Sequence, residues 1–260
     1  MKLLFDADVV AYQAAASVEH IFCEEETGLC FPIGNVGEAE ARFHLAVKEA
    51  AAALGEDDTA VMLAFSCPHE QNFRRRFDAS YKANRNGKPR PVVLPFLLER
   101  LQKDSRAVTL PYLEADDVLG VLATSLPEPT VILSIDKDMK TIPGRFLDLR
   151  AVRAAREGES VVPCVVTPEE ADRAFYRQVL TGDTADNYPG CPGIGPKKAD
   201  EILDKAEKAG SSLWDAVVAA YEKAGQTPDA ALHQANLARI LRAHDYVMRR
   251  ADGGILPWHP

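Results

Sequence analysis

Three carboxylates stand within four residues at Glu114, Asp116 and Asp117, wedged between the apolar runs 108–110 and 118–123. Like charges packed this closely repel one another unless something positive sits among them. Acids also gather at Asp6/Asp8, Asp136/Asp138 and Asp183/Asp186, with no histidine near any pair in the sequence. An all-oxygen donor set selects a hard cation, Mg2+ or Mn2+, over zinc. Four acidic places exceed the needs of one ion and fit two. Paired ions suit phosphodiester hydrolysis, because one activates a water while the other stabilises the leaving oxygen. A simpler role is available to single members of each group, as a helix cap or a first-turn acid favoured by the helix dipole. It leaves the second or third acid of each group unexplained.

A polyanionic substrate would need cations elsewhere, and the charge pattern supplies them. The chain of 260 residues carries a formal charge of -9. Residues 72–90 nevertheless hold Arg74, Arg75, Arg76, Lys82, Arg85, Lys88 and Arg90 against Asp78 alone, which makes that stretch +6. A basic segment on an acidic body can grip a polyanion locally, although such runs are commonly solvated surface. Phe73, Phe77 and Tyr81 recur every four residues within it, a helical spacing that suits either core packing or base stacking. Further on, Gly193-Ile194-Gly195-Pro196-Lys197-Lys198 separates two helical patterns. Glycines let backbone N–H groups approach a phosphate, and the helix start attracts the anion.

The elements that must position these groups read as an α/β protein. Residues 2–5, 59–65, 107–110, 130–135 and 145–149 are strand candidates, and three of the acidic groups lie at strand ends or helix starts. Ligands of open α/β sheets bind beyond the carboxyl ends of the strands. Helices are expected over 9–16, 38–54, 92–103, 167–180, 211–221 and 229–248, with another starting near Pro196. Residues 151–160 read as a connection between an α/β core (1–160) and a helical region (161–260), the two forming one compact unit. Residues 255–258 are expected to tuck back on the body. The composition, 47% hydrophobic and 27% charged, allows a sizeable core. No apolar run reaches the ~20 residues of a membrane helix and no signal-peptide layout opens the chain. Five cysteines without a Cys-x-x-Cys pair predict a reduced, cytoplasmic protein without a zinc framework.

In this order the motifs Leu4-Phe5-Asp6-Ala7-Asp8, Tyr81-Lys82-Ala83-Asn84-Arg85, Glu114-Ala115-Asp116-Asp117, Asp136-Lys137-Asp138 and Gly182-Asp183-Thr184-Ala185-Asp186 resemble the 5′ nuclease (flap endonuclease) superfamily. They are most similar to its phage-encoded, double-strand-specific 5′→3′ exonucleases, and the likeness runs over nearly the whole chain. Residues 238–242 and Trp258 look like the phage members too. The resemblance implies a central, mostly parallel sheet flanked by helices, with the acids at its carboxyl edge and a helical arch at about 72–90. It implies a helix–three-turn–helix at about 176–205 that holds duplex DNA, often with K+. Asp6, Glu114, Asp116, Asp117, Asp136, Asp138, Asp183 and Asp186 match the metal-binding acids, for two ions of Mg2+ or Mn2+. Asp8 has no general counterpart in the family and is left out of that set. Lys82, Arg85 and Asp116 match catalytic positions. Arg74, Arg75, Tyr81, Lys82, Arg85, Gly193, Gly195, Lys197 and Lys198 are the expected DNA contacts.

The implied activity is metal-dependent hydrolysis from 5′ ends or flaps of duplex DNA, with RNA–DNA hybrids a further substrate, in phage DNA replication, recombination and primer removal. The protein would act as a monomer in the host cytoplasm. One position departs from the pattern: Cys67 stands where the family has an aspartate after its second strand, so the site loses a carboxylate or borrows one such as Glu70. That loss keeps a second reading open, a catalytically impaired DNA-binding protein. A third is a haloacid-dehalogenase-type phosphatase, which Asp6 and Asp8 at a strand end also resemble. That fold requires a strand before Gly182, where this sequence has an amphipathic helix.

Overall fold

The computed structural model describes residues 1–155, 159–247 and 254–260. β1 (Lys2–Asp6) is apolar between its first and last residues and runs directly into α1 (Ala7–Ser17), because the Asp6 carboxylate turns back to accept the Val9 N–H at 3.3 Å. The chain continues through a hairpin of β2 (His20–Cys23) and β3 (Cys30–Ile33), then α2 (Val36–Ala53), β4 (Val61–Ala64), α3 (Arg74–Phe77) and α4 (Leu94–Leu101). β5 (Ala107–Val108), α5 (Ala115–Ser125), β6 (Thr130–Ser134), β7 (Gly144–Asp148), α6 (Leu149–Ala154) and β8 (Cys164–Val166) follow. Four helices close the chain: α7 (Pro168–Thr181), α8 (Pro196–Lys208), α9 (Leu213–Lys223) and α10 (Pro228–Ala238).

Strand order in the main sheet is β5-β4-β1-β6-β7-β8. The first five strands are parallel and only β8 is antiparallel, so the expectation of a mostly parallel sheet holds. Alternation along the strands sorts their side chains onto two faces. Leu3, Phe5, Leu63 and Leu133 pack under α1, α2 and α4, while Leu4, Ala64 and Ile132 pack under α5. From β1 the chain steps outward to β4 and β5, then crosses back to β6 and β7. The strand order therefore reverses beside β1, at the carboxyl edge where Asp6 ends its strand. A third apolar cluster joins α7 to α10 and includes Tyr81 and Trp258. Trp258 does tuck back, with its ring 4.9 Å from Trp214 and 5.1 Å from Phe175.

Four expectations change. The aromatic stripe of 72–90 does not form one helix. α3 stops after four residues because the Asp78 carboxylate accepts the Ser80 N–H at 2.8 Å, a local turn that competes with helix. Phe73 and Tyr81 then enter two different apolar clusters and Phe77 faces solvent, so the arch is two limbs with a short turn rather than a continuous helix. The helix expected to reach Met248 ends at Ala238, because the backbone beyond it is held by α3 and α5; Met248 itself lies outside the described residues. The connection at 151–160 begins as α6, and its residues 156–158 also lie outside the described residues. Finally, Cys23 and Cys30 face each other across the β2–β3 hairpin and are joined as a disulfide, so the expectation of a fully reduced chain fails there. No helix among the described residues is long and apolar enough to cross a membrane.

Candidate metal centre and nucleic-acid interface

Each acidic group arrives on a different element. Asp6 ends β1, Glu114 caps α5 with Asp116 in its first turn, and Asp136 and Asp138 follow β6. Asp183 and Asp186 lie in the turn after α7. Asp6 is 4% exposed, and the Ser134 hydroxyl on the neighbouring strand donates to it at 2.6 Å. Ser134 Oγ also accepts the Asp136 N–H at 3.0 Å, which ties the second acidic group to the first. On the other side of β1, Asp8 accepts the Ser66 N–H at 3.0 Å, and Ser66 Oγ accepts the Ala115 N–H at 2.9 Å.

The acids repel one another, as a site built for cations requires. Burial pushes the Asp6 carboxyl up to about 7, helped by Asp8 and Asp136 and opposed by the Ser134 hydrogen bond. Asp116 is driven well above the carboxylate range by burial, then by Asp6, Glu114 and Asp136. Asp138 rises to about 6 through burial and the charges of Asp136, Asp183 and Asp186. Glu114 behaves oppositely. Burial pushes it up, but Lys82, Arg74 and the Tyr81 hydroxyl together hold it down at about 2.

Lys82 is the cation among them. Its Nζ donates to Glu114 Oε1 and lies 3.5 Å from Asp186 Oδ2. Tyr81 Oη is 2.9 Å from both Glu114 Oε2 and Asp186 Oδ2, and its single proton is shared between them. Lys82 has φ +56, a left-handed conformation that costs a non-glycine residue ~1 kcal/mol or more. The strain is offset by its N–H, which donates to Asp186 O at 2.9 Å. Arg85 donates to Asp186 Oδ1 and to Ala185 O, and Asn84 to Thr184 O, so the lower limb of the basic segment is zipped to the 182–188 turn. Among the described residues no three acids converge closely enough to form a ready-made ion cage. Glu114, Asp186 and Asp116 act on Lys82, and the further acids are coupled by mutual repulsion, Asp116 to Asp6 and Asp136, and Asp138 to Asp136, Asp183 and Asp186.

The oxygen-only donors and buried, repelling carboxylates fit hard divalent ions. Donors of that chemistry are Asp6, Glu114, Asp116, Asp136, Asp138, Asp183 and Asp186. Asp117 does not fit. It is fully buried, and its oxygens take two bonds from the Arg74 guanidinium, both at 2.7 Å, one from Leu241 N–H at 3.1 Å and one from Glu114 N–H at 3.2 Å. No acceptor direction remains for an ion. Arg74 is corrected likewise: it is 2% exposed and spends its donors on Asp117, Glu114 and the carbonyls of Leu237 and Arg239, leaving none for DNA. Tyr81, 2% exposed, bridges acids and offers no ring to a base. Arg75 is half-buried against His69, at 2.6 Å.

The second basic feature lies apart, at the start of α8. Gly193 has φ +73, Gly195 is the helix cap with no side chain on it, and Pro196 opens the helix. Gly193, Gly195, Lys197 and Lys198 are all exposed, and Lys198 Nζ bonds Gly193 O at 3.0 Å, which rigidifies the turn. Two residues outside the expected metal set join the site, Asp8, which the sequence reading named and left out, and Ser134. Asp8 belongs to the acidic cluster, its carboxyl raised by burial and by Glu114, and the signal was present in its pairing with Asp6. Ser134 links two acid groups, which only the β1–β6 pairing reveals. Cys67 sits beside Glu114, Asp117 and Asp8, and burial first, then those charges, lifts its thiol to about 11, so it stays a neutral thiol. Glu70 is exposed, and the carboxylates that act on Cys67 are Glu114, Asp117 and Asp8 instead.

A parallel sheet with acids at its carboxyl edge, crossed by a basic limb and followed by a helical region, defines a nuclease-type α/β fold. Residues 3–157 match the family described as 5′-3′ exonuclease, N-terminal resolvase-like domain, and the chain belongs to that family. It is 30% identical to the exodeoxyribonuclease of Enterobacteria phage T3 over 234 residues, 77% of this chain and 73% of the relative. The exonuclease of Escherichia phage T7 is also 30% identical, over 236 residues, 77% of this chain and 74% of that one. The fold matches a phage T5 protein crystallised with metal ions, at TM-score 0.61 and 14% identity, covering 92% of this chain and 88% of that one. A second structure of the T5 flap endonuclease, with DNA and metal ions, matches at TM-score 0.58, again at 14% identity and covering 92% and 88%. The protein is a nuclease of this family. The helix α7 before Gly182 removes the phosphatase reading, which needs a strand there.

Proposed function

We infer that the protein hydrolyses phosphodiester bonds at the 5′ ends or flaps of duplex DNA, using two Mg2+ or Mn2+ ions. The observation that carries this reading is the mutual electrostatic coupling of seven acids from β1, α5, the turn after β6 and the 182–188 turn, of which Glu114, Asp116 and Asp186 act on Lys82. The ions would supply an activated water and stabilise the leaving oxygen. Asp6, Glu114, Asp116, Asp136, Asp138, Asp183 and Asp186 would hold them. Lys82 and Arg85 reach the same acids from the basic limb, and would meet the scissile phosphate as it enters. Being cations on that limb, they favour the charge that develops on the phosphate during cleavage. Gly193, Gly195, Lys197 and Lys198 would hold the duplex backbone through the open N–H groups of α8, with K+ at that turn. RNA–DNA hybrids, a monomeric state and the host cytoplasm complete the reading.

The test uses 5′-labelled blunt, 5′-flap and RNA–DNA substrates with Mg2+, with Mn2+ and with chelator. Short 5′ products that vanish in chelator, and in Asp116→Asn, are expected, with binding retained by the variant. Binding should fall steeply with salt, as phosphate contacts require. Duplex bound but never cut under any metal would instead establish the impaired, binding-only protein.

A further inference from the structure

Asp117, Gly120 and Thr124 lie along one side of α5, at the i, i+3, i+7 spacing that makes a stripe on a helix. The segment 237–245 crosses that stripe. Asp117 accepts the Leu241 N–H at 3.1 Å and Thr124 Oγ1 accepts the Ala243 N–H at 2.7 Å. Between them Gly120 lets the backbone of Leu241 come so close that a Cβ would meet its carbonyl oxygen at 2.2 Å. Gly in a helix interior costs roughly 1 kcal/mol against Ala, so the close crossing is retained against that loss. Arg74 fastens the other edge, donating to Asp117 through two nitrogens, to Glu114 at 3.2 Å and to the carbonyls of Leu237, at 3.0 Å, and Arg239. The crossing segment is anchored in turn by Arg242, which bonds Thr141 O at 2.8 Å and pairs with Asp172 at 2.7 Å.

We propose that this segment is a strap that sets the position of α5, with Arg74 and Asp117 as its clasp, so that Arg74, Asp117, Gly120 and Thr124 position Glu114 and Asp116 without touching ion or substrate. The clasp sits at the first turn of α5, the turn that carries both acids. A small slide or rotation of the helix would displace both carboxylates together. The proposal rests on the reading of Glu114 and Asp116 as metal-holding acids, and it assigns to Asp117 a different role from theirs.

The measurement is Mn2+ affinity of the full chain by calorimetry, alongside melting temperature and the KM and kcat for a 5′-labelled duplex. Arg74→Gln separates the two accounts by sign. Removing a positive charge beside the acids should tighten Mn2+ binding if Arg74 is only a counter-charge, and loosen it about tenfold if it is a clasp. Gly120→Ala and the near-isosteric Thr124→Val alter no charge, and weaker Mn2+ binding with lower kcat at unchanged KM is expected from both, larger for Gly120→Ala. Val217→Ala, in the core of the helical region, serves as the control that lowers melting temperature without moving Mn2+ affinity. Variants that melt earlier yet bind Mn2+ as the wild type does would overturn the strap. A wild type that binds no Mn2+ would overturn the metal-site reading instead.

Discussion

Gly182 closes the turn that carries Asp183 and Asp186, and replacing it with alanine tests how that turn is held. Gly182 has φ +66 with ψ -178, a region open to glycine alone. A Cβ there would meet Pro189 C at 2.4 Å and Gly190 N at 2.5 Å, so the backbone itself must move. Around it the Gly182 N–H bonds Gln178 O at 2.8 Å, Asp183 N–H bonds Tyr188 O at 2.9 Å and Cys191 N–H bonds Leu180 O at 2.9 Å. Strained backbone costs ~1–3 kcal/mol and forced overpacking a further ~1–3, so Gly182→Ala should lose about 2–6 kcal/mol. Gly210→Ala is the matched control, with φ +61 and nothing within 4 Å of the added carbon, and only about 1 kcal/mol is expected. Urea unfolding followed by tryptophan fluorescence reads the difference directly, because Trp214 and Trp258 both lie in the helical cluster that this turn leaves. If Gly182→Ala costs no more than Gly210→Ala, the close approach of 182 to 190 does not hold the turn and the reasoning fails.

Asp6 and Asp138, held at about 7 and about 6 against an ordinary 3.8, keep protons in the folded chain that the unfolded chain has released. In chelator, stability should therefore fall as pH rises from ~4 to ~7, by up to ~3 kcal/mol from Asp138 alone, whose share is lost by pH ~6. Denaturation midpoints across that range check this, and Asp138→Asn should flatten the fall; a rise with pH in both proteins would count against it. Cys67→Asp should change cleavage of a 5′-labelled duplex by less than about tenfold, ~1.4 kcal/mol, because Glu114 and Asp8 already supply carboxylates there. A gain of several orders of magnitude would show that the missing acid cripples the site. Trp258→Ala removes a ring packed against Phe175, Tyr176 and Trp214 and should cost about 3–5 kcal/mol in urea unfolding. Little change there would mean that the C-terminal residues only rest on the helices.

Much of the scaffold was legible because its signals are local. β1 and β6 are short apolar runs that end in acids, and α7 opens with Thr167, Pro168 and Glu170, whose capping bonds form at 3.2 and 2.9 Å. The four acidic groups could be read as one site because each ends a strand or opens a turn or helix, and parallel strands deliver their carboxyl ends to one edge. The aromatic stripe of 72–90 misled for an equally local reason. Its spacing was helical, but the Asp78 side chain offered the backbone a turn instead.

The sequence by itself determined the acidic groups and the α/β alternation, which residue type and periodicity carry, while the order of its motifs pointed to the family and its mostly parallel sheet. Only the tertiary structure decided how the charges are shared out. Glu114 and Asp117 stand three residues apart with the same charge, yet Glu114 faces Lys82 and Tyr81 in the site while Asp117 is sealed against Arg74 and the Leu241 N–H. Arg74 and Lys82 likewise share one basic segment and differ in their use. A charge carries no label for its partner, and the partners here stand 32 to 163 positions apart along the chain.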